Sequence, residues 1–593
     1  MNSLSPRPRL LFFQWDHAPN KAASGFLTLQ MNLHVKCLAQ FFDVTVISHD
    51  CDFDQVCDRH QPDLVLFEAG YRSHGSRRIR IDNTAAHSGI PRLGLHNGDP
   101  WCDRRAGFWA DMDDWGVETA FAIGTATPAY MPDQADRIFV WPNFIDPDMF
   151  RFRGQAKVIP VMLTGQSGPL YPWRSAVYQT LAQHYPSLIT PAFRYEDAGA
   201  RRLLAGQAYA DALSASWVSP SCGTMGHELV RKHLEIPGAG CLLVTERTPV
   251  LEAAGFRDGE NCIFATPSDV VEKIDALMAD PDRMLRITRA GHTLVAGRHT
   301  LHHRRQIRDW FDLHQTLGSG QRIVQPGPFA PLKAVAVASA RHHGHLPATG
   351  LDRLALQKAH GHLAKNELAR ARQQFEAALA YVPYLPEAKL GLALCDLAEN
   401  RPDEAFRRLS ALIRVTITEY GASRPDPAEW ALCLLALMAS GREAEAIALR
   451  YRYPSAGHAG LARVKGVLDQ VASDDDRAVV GASIGSGSIH PTTPAMTQAI
   501  DRELAAFMAR RGEGSGRHPV RVGQRSLVAL DRLLRIMPVG TLRPRLPPAP
   551  GFGYLIALRD ALGRKLLPPS GRRLARRMAL RIHGSRTRHE SRP

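Results

Sequence analysis

The feature that most constrains this chain is a rhythm of short apolar runs, each followed by a longer stretch of helical character. Leu10-Leu11-Phe12-Phe13 leads into the helix-like Leu27 to Phe41, then Val44 to Ser48, a polar break, and Pro62 to Glu68. Further runs fall near Arg92 to His96, Thr119 to Ile123 and Arg137 to Trp141. Runs this short that lack an apolar/polar alternation fit parallel strands covered on both faces, with the intervening helices as crossovers. The pattern predicts a Rossmann-like domain over residues 8–152. It then restarts with Val161-Met162-Leu163, the helical Ser175 to His184, Trp217 to Ser221 and Leu242-Leu243-Val244. A second Rossmann-like domain is therefore expected over 153–318, so the fold class is α/β with two such units facing across a cleft.

Length supports more than this pair, because 593 residues exceed what one core organises. Apolar residues make up 45% and charged residues 22%, and no run of eighteen uncharged apolar residues occurs. A transmembrane helix is not expected. The apolar run at Leu10 is cut by Gln14 and Asp16 too soon for a secretory signal, and it reads as a buried strand. Nine cysteines without a Cys-x-x-Cys pair suggest neither a disulfide framework nor a zinc site, which fits a reducing cytoplasm. From Asp501 onward 21 Lys and Arg face six Asp and Glu, an excess equal to the whole chain's net charge of +15. The body is thus electrically balanced, and the basic character belongs to the tail.

Chemistry concentrates in four places. Val161 to Gly168 reads as a strand opening into a glycine-bearing loop before Tyr171-Pro172-Trp173-Arg174 and a helix. Backbone N–H groups of Gly165 and Gly168 at such a helix start suit a phosphate, and Arg174 adds a charge-assisted bond. Downstream, Val230 to Val244 carries Arg231, Lys232 and the carboxylate of Glu235 into Pro237-Gly238-Ala239-Gly240 and then a strand. A helix from His227 to Leu234 would place His227, Arg231 and Glu235 on one face, with Lys232 beside them. In the first half, His96-Asn97-Gly98-Asp99 follows a strand end, where His96 or Asp99 is placed to remove a proton from a hydroxyl; a capped turn is the plainer reading. Asp50, Asp52 and Asp54 have the spacing of a divalent-cation motif, although a solvated loop opening a helix explains them more simply.

The segment Lys232-x-x-Glu235-Ile236-Pro237-x-x-Gly240 before a strand resembles the C-terminal half of group 1 glycosyltransferases, in particular their CgeB-like branch. The likeness extends to Trp141-Pro142-Asn143-Phe144-Ile145-Asp146, with Phe144 where the family has Gly, and through Thr245-Glu246 to Arg298-His299-Thr300-x-x-His303-Arg304. It covers roughly residues 140 to 315. The resemblance implies a GT-B glycosyltransferase of hexosyltransferase type that moves sugar from a nucleotide-sugar donor to an acceptor, with no metal and no cofactor. It implies that Glu235 takes the second place of the family's Glu-x7-Glu pattern, on the ribose, while His227 stands in the first place and Glu228 one residue off. Gly165, Gly168, Arg174, His227, Glu235, Gly238 and Gly240 are then donor-binding residues. His96, Asp99, Lys232 and Arg231 are candidates for catalysis, the two cations acting on the departing diphosphate. Domain closure is expected to exclude water.

Beyond the α/β units, Pro, Gly and Ala dominate 319–350, which suggests a linker. Over 351–470 the positions Ala371, Phe375 and Ala378 recur as Ala405, Leu409 and Leu412, and again at Trp430, Leu434 and Leu437. This periodicity predicts tetratricopeptide-like helical repeats, a common seat for a protein partner. Residues 471–498 read as a flexible linker, and 499–593 as a basic, partly helical tail suited to an anionic membrane surface at the inner face of the membrane. Nucleic acid is disfavoured, since no aromatic stacking pattern accompanies the charge. The acceptor class stays open among glycan, lipid and protein. The competing reading is a catalytically degenerate scaffold that recruits partners through its repeats, and His227 in place of a carboxylate is what sustains it.

Overall fold

The computed structural model describes residues 6–18, 24–69, 76–190, 204–339, 344–454, 457–472 and 487–513. The part of the basic tail beyond Glu513, expected to suit an anionic membrane surface, lies outside them, as do residues 473–486 of the stretch expected as a flexible linker.

Strands β1 (Arg9–Phe13), β2 (Asp43–Ile47), β4 (Leu64–Ala69), β6 (Arg92–His96), β7 (Thr119–Ala122) and β8 (Ile138–Val140) form one sheet in the order β2-β1-β4-β6-β7-β8. Every pairing in it is parallel. Two short strands, β3 (Cys51–Asp52) and β5 (Ile81–Asp82), pair beside it. The second sheet joins β9 (Ile159–Leu163), β10 (Ser187–Ile189), β11 (Ser216–Pro220), β12 (Leu242–Thr245) and β13 (Ile263–Phe264) in the order β10-β9-β11-β12-β13, again all parallel. Burial explains the unalternating sequence: all six residues of β4 and all four of β12 are buried, so both faces need apolar side chains.

Two chain segments cross between the sheets. Ile145 donates its N–H to His299 O at 3.1 Å, and its carbonyl accepts from Leu301 N at 3.0 Å. Arg304 clamps the crossing: its guanidinium donates to the carbonyls of Pro142, Asn143 and Arg298, each at 2.9 Å, and its burial lowers its pKa to about 10. The helix Gln306–Gln315, placed with the second domain on sequence, returns to the first sheet, where Ile307, Trp310 and Phe311 share a core with Leu10, Phe12 and Leu93. Phe144, the residue standing for the family's Gly, is buried in that same core against Trp141.

The stretch expected as a linker contains an antiparallel hairpin, β14 (Gln321–Val324) with β15 (Lys333–Ala336). Gln325 then pairs both backbone groups of Val140, its Oε1 accepting from Val140 N at 2.7 Å and its Nε2 donating to Val140 O at 2.9 Å. This caps the open edge of the first sheet. A helical region follows, with helices Leu351–Ala364, Leu368–Tyr381, Pro386–Ala398, Pro402–Arg414, Pro427–Ala439, Glu443–Leu449, Ala459–Val471 and Pro494–Glu513. The recurring Ala371, Phe375, Ala378, Ala405 and Leu409 are all buried where helices meet. No described helix is long and apolar enough to cross a membrane.

This helical region is fused to the α/β units. Arg105, after β6, sends two hydrogen bonds to the Glu387 carboxylate at 3.0 and 2.8 Å, and Arg353 adds a third at 3.1 Å. All three side chains are buried or nearly so, and the two guanidiniums hold the Glu387 carboxyl well below the usual carboxylate range despite its burial. Tyr130 OH bonds Asp352, and Tyr420 OH bonds Asp111. Met225 of the second α/β unit joins Trp101, Ala126 and Tyr130 of the first in one apolar cluster with Ala355, Leu356 and Phe375. One helical region therefore grips loops from both units.

Candidate functional site

In each sheet the strand order reverses once: between β1 and β4 in the first, between β9 and β11 in the second. Open parallel sheets bind ligands in the crevice at the C-terminal ends of the strands at such a reversal. The loops from these ends meet: Glu228, after β11, accepts hydrogen bonds from Thr125 Oγ1 and from Ala126 N at 2.9 Å, both in the loop after β7. The two crevices thus belong to one cleft.

At the second reversal the chemistry is cationic. Arg174 sits in the first turn of the helix Pro172–His184, 2% exposed. Its guanidinium donates to Gln166 O at 3.2 Å in the loop after β9 and to Ser221 Oγ at 3.0 Å after β11, so it ties together the two loops that form the crevice. Lys232 opens the helix Lys232–Gly238 and donates from Nζ to Tyr209 OH at 3.1 Å. Gly165, with φ +90°, lies against both: a Cβ there would come within 2.9 Å of Lys232 Cε and 3.0 Å of Arg174 Nη1. Burial lowers the Lys232 pKa to about 8; Glu235 opposes that shift, while Arg174 and Arg231 add to it. Among the described residues neither Arg174 nor Lys232 has a carboxylate within the 4.0 Å of an ion pair. A buried Arg174 and a half-buried Lys232 that both lie against Gly165, with no carboxylate in ion-pairing range, leave charge for a ligand to satisfy.

Glu235, 8% exposed, lies on the Lys232 helix with Arg231 Nε at 4.0 Å. Glu246, after β12, accepts from Gly223 N at 2.9 Å, and burial pushes its pKa up to about 7. The glycines divide. Gly168 N donates to Ser175 Oγ at 2.6 Å, so its N–H is already used. A side chain on Gly238 would meet Ile145, and one on Gly240 would meet Phe152: these two permit close packing against the crossover and do not open toward the cations. The helix begins at Lys232, one turn later than the His227 to Leu234 span expected from sequence. His227 sits in a turn at φ +55° with Nδ1 3.4 Å from Thr349 Oγ1, off the face that carries Glu235. A chain reversal that packs Met225 and Gly226 against Trp101 overrides the helical spacing there.

The first crevice has the opposite character. His96, expected as a proton acceptor, is 1% exposed, edge-on to Phe108, and burial lowers its pKa to about 3. Its place at a strand end is as read, but the ring points into the core, which corrects that role. Asp99 is exposed; desolvation by the surrounding protein, and then the charge of Glu228, raise its pKa to about 6. Of the aspartate run, Asp50 accepts from Arg77 and from Arg80 N, Asp52 caps the helix Phe53–His60, and Asp54 pairs with His87, so each has a partner within the protein.

Sequence reasoning passed over the residues at the first reversal itself. Glu68, next to last in β4 and buried, accepts from Asn97 Nδ2 at 2.7 Å and Trp15 N at 3.2 Å. His17, just after β1, places Nε2 3.2 Å from Glu68 Oε2 and Nδ1 2.8 Å from Ser76 Oγ. Beside them on the helix Ser24–Leu38, His34 is buried against Trp141, with its pKa lowered to about 4 by burial. The charges of Glu68, Arg231 and His17 act on the His34 ring as well, more weakly than its burial. A carboxylate closing an otherwise apolar run and a histidine just past the first strand were the available signals.

Comparison with known proteins adds to this geometry. None of the curated proteins matches the chain. Among solved structures, a glycosyltransferase from Rickettsia africae ESF-5 is similar at 11% identity over 53% of this chain and 100% of its own, with a TM-score of 0.35. Anabaena HepE in complex with UDP and glucose is similar at 12% identity over 52% and 99%, TM-score 0.34. Sucrose-phosphate synthase from Thermosynechococcus elongatus is similar at 10% identity over 53% and 100%, TM-score 0.39. Residues 162–311, which run from β9 through the cationic crevice to the returning helix, match the family described as glycosyl transferase-like.

Proposed function

We propose that this chain is a GT-B glycosyltransferase that passes sugar from a nucleotide-sugar donor to an acceptor held by the first domain. The observation that carries this is the convergence of Arg174 and Lys232 on Gly165 at the second sheet's reversal, without a carboxylate in ion-pairing range. A donor diphosphate meets that demand, and its negative charge grows as the sugar–phosphate bond breaks, so the same cations stabilise the transition state. The match of 162–311 to the glycosyl transferase-like family supports the reading. In it Glu235 takes the ribose hydroxyls, Arg231 supplements Lys232, and the first crevice with Asp99 takes the acceptor, whether glycan, lipid or protein. Charge compensation comes from side chains, so the mechanism needs no metal. The hexosyltransferase type, the CgeB-like branch, a tetratricopeptide-like nature of the helical region and a peripheral cytoplasmic site of action complete the proposal.

The test is a panel of UDP-, GDP- and dTDP-sugars read by thermal shift and calorimetry. Binding of one nucleotide class, lost in Glu235→Ala, is expected; a silent panel, or unchanged affinity in that variant, overturns the donor site. A second reading, a degenerate scaffold, is favoured by one observation: no carboxylate fills the family's first place, since His227 faces Thr349 and Glu228 is spent on Thr125 and Ala126. A silent panel selects it.

A further inference from the structure

The loop 223–229, between β11 and the helix Lys232–Gly238, is packed on two sides by parts of the chain that are distant in sequence. On one side is the first α/β unit: a Cβ on Gly226 would run into the Trp101 ring, and Glu228 accepts from Thr125 and Ala126. On the other is the start of the helical region. A Cβ on Gly350 would meet Asp352 Oδ1 and would fall 2.8 Å from Gly226 Cα and 3.0 Å from Met225 O. Gly350 precedes the helix Leu351–Ala364 at φ −61° and ψ 154°, a conformation open to any residue. Close approach, and not backbone freedom, is therefore what requires glycine there. Backbone bonds carry the contact onward. Leu351 N donates to Met225 O at 2.8 Å, and Met225 N donates to Leu170 O at 2.8 Å. Leu170 belongs to the loop after β9 that runs from Gly165 to the helix of Arg174, so Met225 joins the helical region to the rim of the cationic crevice. The loop 223–229 is also strained: Thr224 and His227 hold φ at +67° and +55°, which costs free energy and persists only where the surroundings fix it.

We propose that Gly350, Met225 and Gly226 are positioning residues of the donor site. The start of the helical region presses the loop 223–229 onto the first unit, and through Met225 it sets the loop 165–171 beside Arg174. The identity of the ligand rests on the transferase reading above; the joint itself does not. With the loops held this way, a hinge movement is not needed to bring them together when donor binds. A donor meets a crevice already arranged, and its apparent affinity scales with the fraction of molecules that hold that arrangement. The helical region then acts on the transfer without touching the donor.

Gly350→Val in the full chain tests this, with Gly350→Ala as the milder variant should valine prevent folding. Hydrogen exchange read by mass spectrometry needs no ligand. Peptides over 223–229 and 165–171 are expected to exchange slowly in the wild type and about tenfold faster in Gly350→Val, with alanine between the two. Tyr420→Phe removes a bond to Asp111 in the contact of the helical region with the first unit. It should lower Tm and leave both peptides unchanged. Unchanged exchange in the Gly350 variants, or equal acceleration by Tyr420→Phe, overturns the joint. Calorimetry with UDP-glucose, GDP-mannose and dTDP-glucose reads the consequence: for whichever binds the wild type, Kd should rise about tenfold in Gly350→Val. An unaltered Kd overturns the positioning role. If none of the three binds, the transferase reading falls, and exchange still decides whether the helical region holds the loop.

Discussion

The two crevices are topological twins with opposite chemistry. Each lies where a parallel sheet reverses its strand order, yet the second presents Arg174 and Lys232 around Gly165, and the first presents Glu68, Asn97 and His17. The fold supplies a place where backbone ends and side chains converge; the side chains there decide which charge the place attracts. In the second crevice Arg174 is buried and Lys232 half-buried, and the missing glycine side chain lets both approach Gly165. In the first, a buried carboxylate is consumed in holding a histidine. Under the proposed function, the second crevice holds an anion and the first orients a polar acceptor group. What keeps them opposed is the helical region, which packs Met225 of one unit with Trp101 and Tyr130 of the other, together with the bonds that Glu228 accepts from Thr125 and Ala126.

The harshest way to break this arrangement is Glu387→Ala. It strands Arg105 and Arg353 beside a buried gap and should cost about 3–5 kcal/mol, seen as a lower Tm and a loss of UDP binding as the loops lose their spacing. Arg174→Ala attacks the anion crevice alone: UDP affinity by calorimetry should fall about 100-fold, the equivalent of one charge-assisted hydrogen bond at about 2–3 kcal/mol. A finer cut uses pH. Lys232, with its pKa lowered to about 8, is charged below that value and loses its charge as pH rises through it. UDP affinity should therefore fall by about tenfold between pH 7 and 9.5, and Lys232→Arg should flatten the profile. Linkage gives a second sign: between about 8 and the unfolded lysine value of about 10.4 the unfolded chain binds more protons, so the lysine's contribution to stability rises with pH. The smallest effect lies outside both crevices. Asp52→Ala removes the cap of the helix Phe53–His60 and should cost about 1 kcal/mol in Tm terms without moving UDP affinity; a change in affinity would restore the aspartate run as a site.

Much of this was legible in the residues. The strands of the first sheet fall close to their apolar runs, and Gly165 with the two cations Arg174 and Lys232 stands out in the sequence itself. Those signals are local: a strand buried on both faces must be apolar along its length, and a glycine before a helix start is visible in sequence. His227 leaves the expected face because spacing predicts a face only while the helix continues, and a turn packed on Trp101 ends it there; Gly238 and Gly240 lie against Ile145 and Phe152, contacts that only the folded chain brings about. His17 and Glu68 went unread because they stand 51 residues apart and acquire meaning only when β1 and β4 lie side by side.

The sequence by itself determined the layering, two α/β units and a helical region, because hydrophobic period and turn chemistry act over a few residues at a time. Tertiary structure alone decided which polar side chains share a crevice. Partnership across the cleft depends on long-range register, which only the closed sheets and the contacts of the helical region provide.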